Sequence, residues 1–261
     1  MIDWMKETYA YPCEEFYIKT HDGLTLHACY YETTPGAPIE LMFHGYRGCA
    51  ERDLCGGMQR CFSLGRNAFI VDQRGSGKSD GRVISFGVNE SLDCLEWVKF
   101  MVEHFGKDVK IILCGISMGA STVMLASGKD LPPNVVGVLA DCGYSSAREI
   151  IFRVIRQIGL PPKIFYPLVR LGAILFGHFD TNRISPLDAV SKSKVPIIFF
   201  HGENDDFVPC EMSKACFGSC PAKKKLVTIP GAGHGLSYLV DPETYLSSLE
   251  EFFPEYTVWQ K

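Results

Sequence analysis

The sequence of 261 residues contains no C-x-x-C pair, no internal repeat, no low-complexity tract and no Pro/Gly/Ser-rich linker. Its eleven cysteines are odd in number and scattered, so neither a disulfide framework nor a zinc site is expected. Cys94, Cys114 and Cys142 lie inside apolar runs, where a free cysteine acts as a small hydrophobe. That usage fits a reducing compartment, and the expected localisation is cytoplasmic. With no linker and 46% hydrophobic residues, the chain reads as a single domain over 1–261. Excess positive charge is absent as well. Lys and Arg number 26 against 30 Asp and Glu, mixed along the chain, which offers no electrostatic footing for nucleic acid. The start, MIDWMKETYAYP, lacks the apolar core of a signal peptide. No pair of histidines has metal-ligand spacing with a suitable third ligand, so no metal is expected.

What is present is a rhythm. EFYIKT and LTLHACYYE alternate on either side of His21-Asp22-Gly23, the pattern of a β-hairpin. Apolar strands then alternate with helical segments. IELMFHG is followed by a helix over 51–64, and NAFIVDQRG by a helix with Leu92, Leu95, Val98 and Val102 at helical spacing that stops at Gly106. VKIILCG leads into the small-residue helix SMGASTVMLASG, and VVGVLADCG follows. Residues 144–185 interrupt the rhythm. It resumes with VPIIFFHGE, a helix near 210–217, KKLVTIPG and a last helix near 242–253. The lysines at 223–225 read as a solvated turn before a strand. This order implies an α/β fold: a mostly parallel sheet covered by helices on both faces. In such sheets function gathers at the carboxyl ends of the strands.

Four of those ends carry chemistry. They are His44-Gly45-Tyr46-Arg47-Gly48, Gly115-Ile116-Ser117-Met118-Gly119, His201 through Asp206, and Gly231-Ala232-Gly233-His234-Gly235. A serine hydroxyl becomes a nucleophile when a base takes its proton; histidine is the usual base near neutral pH, and a carboxylate fixes its tautomer. G-x-S-x-G between a strand and a helix needs its glycines because a turn that sharp leaves no room for side chains. On this reading Ser117 is the nucleophile, His234 the base, and Asp205 or Asp206 the acid, with Asp141 as a rival after an earlier strand. The backbone N–H groups of Tyr46 and Met118 would face a developing oxyanion.

FHGYRG, DQRGSGKSDG, GISMG, HGENDDFVP and PGAGHG together resemble the serine esterases of the α/β-hydrolase fold, over nearly the whole chain. The chain is similar to bacterial members with a helical cap after the sixth strand. The resemblance implies a mostly parallel sheet with helices on both faces and a small cap at about 144–185. It implies Ser117, Asp205 and His234 as the catalytic residues, the family spacing H-G-x-x-D-x-x-V-P selecting Asp205 over Asp206. It also implies an oxyanion hole from the N–H groups of Tyr46 and Met118, no cofactor, and a small-molecule ester as substrate. Acyl transfer, thioester or peptide cleavage on the same residues, and a non-catalytic binding protein on the same fold, are the alternatives.

Gly75-Ser76-Gly77-Lys78-Ser79 resembles the tail of a phosphate-binding loop, but the glycine required five residues before Gly77 is Asp72. His44 and His201 read as positioned loop residues, and His178 as a surface residue of the cap. The segment 147–158 is an amphipathic helix, ended by Leu160-Pro161-Pro162, and 164–176 is a second apolar element. Pro161-Pro162, Arg170 and the length of each half argue against a membrane span. The cap is expected to cover the nucleophile, its faces either packing on the core and on each other or lining an acyl pocket with Phe165 and Phe176. A second reading lays this basic, amphipathic segment on a membrane surface.

Overall fold

The computed structural model describes residues 2–256. Eight strands form one sheet: β1 (Glu14–Lys19), β2 (Thr25–Tyr31), β3 (Ile39–Phe43), β4 (Asn67–Asp72), β5 (Ile111–Ile116), β6 (Val135–Asp141), β7 (Ile197–Gly202) and β8 (Lys224–Ile229). Their order is β1-β2-β4-β3-β5-β6-β7-β8. β1 with β2 and β2 with β4 are antiparallel, and every later pair is parallel. This is the mostly parallel sheet that the alternation of elements predicts.

Period-two side chains explain the two cores. Leu41, Phe43, Leu113 and Val138 meet one layer of helices, with Trp97 and Met101 from Glu90–Phe105 and Val123 from Met118–Ser127. Met42, Cys114, Leu139 and Phe200 point the other way, onto Met58 and Cys61 of Cys55–Ser63 and Leu249 of Pro242–Phe252. Each strand therefore serves both faces, and near-continuous apolar runs result. Among the polar residues buried within the strands is Glu40 of β3, which pairs with Arg60 and Arg66.

The order β4-β3-β5 decides where a site can form. After β3 the chain goes to one side for β4, then crosses to the other for β5. The loops after β3 and β5 thus part, leaving a crevice at the carboxyl edge of the sheet. Register aligns the strand ends: Phe43 lies opposite Gly115, Ile116 opposite Asp141, and Asp141 opposite Phe200.

Several local readings change. The helix expected over 51–64 is two helices, Ala50–Asp53 and Cys55–Ser63, broken at Leu54. The first residues, which carry no strong periodicity, form the helix Ile2–Ala10, docked through Trp4 on Tyr238, and Tyr11 just after it packs on Phe62. The three lysines are not a solvated turn. Lys224 and Lys225 belong to β8, and Lys224 Nζ donates to the carbonyls of Phe217 and Cys220 at 2.8 and 2.7 Å. Lys223 Nζ does the same to Phe252. The ammonium groups satisfy the orphan carbonyls at two helix C-termini.

Candidate active site

Ser117 follows β5 and precedes the helix Met118–Ser127, with φ 57° and ψ −117°. A non-glycine residue rarely holds such a backbone unless its surroundings enforce it. Here the enforcement is steric. A Cβ on Gly115 would lie 2.2 Å from the carbonyl carbon of Gly119, and one on Gly119 only 2.0 Å from the Phe43 oxygen. The strand, the turn and the helix can approach this closely only with glycine at both positions.

His234 comes from the loop after β8. Its Nε2 accepts from Ser117 Oγ at 2.8 Å, and its Nδ1 donates to Asp205 Oδ2 at 2.6 Å. Asp205 comes from the loop after β7. Its Oδ1 accepts the amides of Phe207 and Val208 at 3.0 and 2.8 Å, and His201 Nε2 lies 3.2 Å from Oδ2. Burial alone would raise this carboxyl. The hydrogen bonds from His201, His234 and the Val208 amide outweigh it and hold Asp205 well below the usual carboxylate range. The acid is thus kept ionised, and the imidazole is kept with its proton on Nδ1 and its lone pair on the serine.

The rival acids point elsewhere. Asp141 is buried and accepts from Ser237 Oγ at 3.3 Å and Tyr245 OH at 3.0 Å. Burial raises its carboxyl above the ordinary value. It ties β6 to the last helices, not to the turn that follows it. Asp206 is exposed; its carbonyl takes a hydrogen bond from Arg153. His201, read from the sequence as a positioned loop residue, is the buried support of Asp205, itself held by Ser213 Oγ at 2.7 Å and the Val208 carbonyl at 2.8 Å. His44 accepts from the Gln73 amide on Nε2 and donates from Nδ1 to the Gly45 carbonyl, which fixes the loop after β3. A Cβ on Gly45 would lie 3.5 Å from Ser117 Cβ. Tyr46 therefore follows directly at the serine, its half-exposed ring stacked 5.5 Å from Phe86. Met118 N–H opens the helix after Ser117, where amides have no partner within the helix.

A cavity of about 400 Å³ opens at Ser117 and His234. Its walls include Trp4, Met42, Leu54, Gly57, Leu236, Tyr238 and Leu239, and its polar lining includes Asp53, Arg60, Asp141 and Tyr245. None of its lining comes from residues 144–185. This corrects the expectation for Phe165 and Phe176. Phe165 packs with the buried Ile151, Ile155 and Tyr166, and Phe176 is 81% exposed. The apolar space beside the serine lies between the layer containing Cys55–Ser63 and the N-terminal helix, elements whose sequence gives no sign of a shared cavity. His178 is an exposed, left-handed residue ending the helix Pro162–Gly177. The loop Gly75–Ser79 folds onto Asp72, which accepts the Lys78 amide at 3.0 Å, while Lys78 Nζ reaches Glu15. Among the described residues, two groups of side chains lie close enough to share an ion: Glu15, His27 and Cys29, and Cys142, Asp205 and His234. In the second, Asp205 and His234 already bond each other.

A sequence model described as the alpha/beta hydrolase family matches residues 41–247. The chain is 27% identical over 196 residues to the uncharacterised protein YqkD of Bacillus subtilis, covering 75% of this chain and 64% of that protein, so the match spans less than two thirds of that relative. It is 26% identical over 250 residues to the protein bem46 of Schizosaccharomyces pombe, covering 93% and 77%. Among solved structures, it is similar to the Pyrococcus furiosus esterase Pf2001, with TM-score 0.78, 21% identity, and 97% and 94% of the two chains covered. It is also similar to Est1E of Butyrivibrio proteoclasticus with ferulic acid bound, with TM-score 0.71, 24% identity, and 92% and 98% covered.

Proposed function

The chain belongs to the alpha/beta hydrolase family, and on that premise we propose that it is a serine hydrolase cleaving carboxylic esters through an acyl-enzyme on Ser117. One observation carries the reading: the continuous hydrogen-bond chain from Ser117 Oγ through His234 to Asp205. His234 Nε2 takes the hydroxyl proton as Ser117 Oγ attacks the ester carbonyl. The oxyanion of the tetrahedral adduct rests on the N–H groups of Tyr46 and Met118. His234 then returns its proton to the departing alkoxide, which leaves as an alcohol, and the acyl group stays on Ser117. Water attacks next, giving its proton to His234, and the carboxylic acid leaves with Ser117 restored. Asp205 stays ionised throughout and stabilises the imidazolium.

The walls beside the serine support a small or medium apolar acyl group, held between Trp4, Leu54, Leu236 and Leu239. The test is covalent labelling with a fluorophosphonate, followed by an acyl-length panel of activated esters. Ser117→Ala should abolish labelling in a protein with unchanged melting. Labelling that persists on another serine would remove Ser117 from the mechanism.

A further inference from the structure

Half of the exposed large apolar side chains among the described residues fall between Val154 and Phe176. The helix Pro162–Gly177 buries only Tyr166. Along it, Ile164, Leu168, Leu171 and Leu175 recur at helical spacing and are 65, 62, 51 and 57% exposed. Ile158, in the turn before this helix, and Phe176, near its end, are 65 and 81% exposed. An exposed apolar stripe of this kind marks an interaction site. It is not a span: among the described residues no helix is long and apolar enough to cross a membrane.

Charge decides what covers it. The chain as a whole carries −4, yet residues 144–185 hold six arginines and lysines against two acids. One of those acids, Asp180, is already paired with Arg170 at 2.7 Å. Arg156 and Lys163 flank the stripe, exposed and without an ion pair among the described residues. A second copy placed face to face would set these cations against themselves across the two-fold axis. An anionic lipid surface complements them and takes the stripe at headgroup depth. We propose that the turn Ile158–Leu160 and the helix Pro162–Gly177 dock flat on an anionic membrane surface. Arg153, which donates to the Asp206 carbonyl at 2.5 Å, ties these helices to the loop that carries Asp205. The docking does not depend on the esterase reading and is measured without turnover.

The experiment is sedimentation of the full chain with vesicles of phosphatidylcholine alone and of phosphatidylcholine with phosphatidylglycerol. Binding should require the anionic lipid and weaken at high salt. Arg156→Gln with Lys163→Gln should weaken partitioning roughly 25-fold, at about fivefold per basic residue. Ile164→Ser with Leu168→Ser should weaken it more than about tenfold, since each buried CH₂ is worth about fourfold. These side chains are exposed, so both variants should melt as the parent does. The proposal is overturned by absence of binding to anionic vesicles, by equal binding to neutral ones, or by variants that bind undiminished. A dimer that Ile164→Ser with Leu168→Ser dissociates, in protein that ignores vesicles, assigns the face to a second copy instead.

Discussion

Replacing Asp205 by asparagine perturbs the site at its acid end while keeping the size of the side chain. The Phe207 and Val208 amides, 3.0 and 2.8 Å from Oδ1, keep their acceptor. What changes is the Oδ2 position, 2.6 Å from His234 Nδ1 and 3.2 Å from His201 Nε2. An amide nitrogen there can only donate. His234 must turn over to the tautomer protonated on Nε2, and it can then no longer take the Ser117 proton. The same exchange in a serine protease lowers kcat about 10⁴-fold, equivalent to about 5 kcal/mol of transition-state stabilisation. Asp205 does not line the cavity, so KM should hardly move. The second consequence is structural. His201 is fully buried; its Nε2–H keeps the Val208 carbonyl at 2.8 Å but loses the Asp205 carboxylate and faces a donor instead, a loss of about 1–3 kcal/mol. For a chain of this size that is a fall in Tm of about 2–10 °C. The acid limb of stability should change too. The folded Asp205 carboxyl lies below its unfolded value, so its contribution is present above about pH 4 and is lost as pH falls toward the folded value. Asp205→Asn should flatten that limb. Kinetics on a short-chain p-nitrophenyl ester, with melts between pH 3 and 7, measure all of this. Activity retained above about a tenth would refute the relay, and an equal loss in Asp141→Asn would move the acid to β6.

Trp4→Ala should shift the optimum of kcat/KM toward longer acyl chains, each added buried CH₂ being worth about 0.8 kcal/mol, while Phe176→Ala leaves the length profile unchanged; an activated-ester panel reads both. Gly119→Ala, whose Cβ has no space beside the Phe43 oxygen, should cost about 3 kcal/mol or more in a urea melt, whereas Gly172→Ala, with nothing within 4 Å, should stabilise by about 0.5–1 kcal/mol. Glu40→Ala strands two buried arginines and should cost about 3–5 kcal/mol by the same measurement.

The residues around Ser117 were legible in sequence for steric reasons. Gly115 and Gly119 flank the serine because the strand and the helix touch there, and such a requirement is written in adjacent positions. His234 and Asp205 stand at strand ends that the alternation of elements already locates. The choice between Asp205 and Asp141 was not local. Both end parallel strands, and only the placement of Ser237 and Tyr245 beside Asp141 turns that carboxyl toward the last helices. His201 was visible as a loop residue, but its support of Asp205 depends on the two ends of one turn folding together.

The apolar insertion shows the other limit. Hydropathy registers that Phe165 and Phe176 are apolar, not which way a helix is rotated or what lies beneath it. The density of apolar residues pointed to an acyl pocket, yet the structure turns most of that face outward and places the cavity against Trp4, Leu54 and Leu236. Those walls come from three separated segments, each with too little apolar character to announce itself. By itself, the sequence determined the layered sheet, the strained turn at Ser117 and the order of serine, acid and histidine, because period-two burial and tight backbone approach act between neighbours along the chain. The tertiary structure alone decided that His201 supports Asp205, where the cavity runs and which helix face is left uncovered, because each depends on contacts that the order of residues does not display.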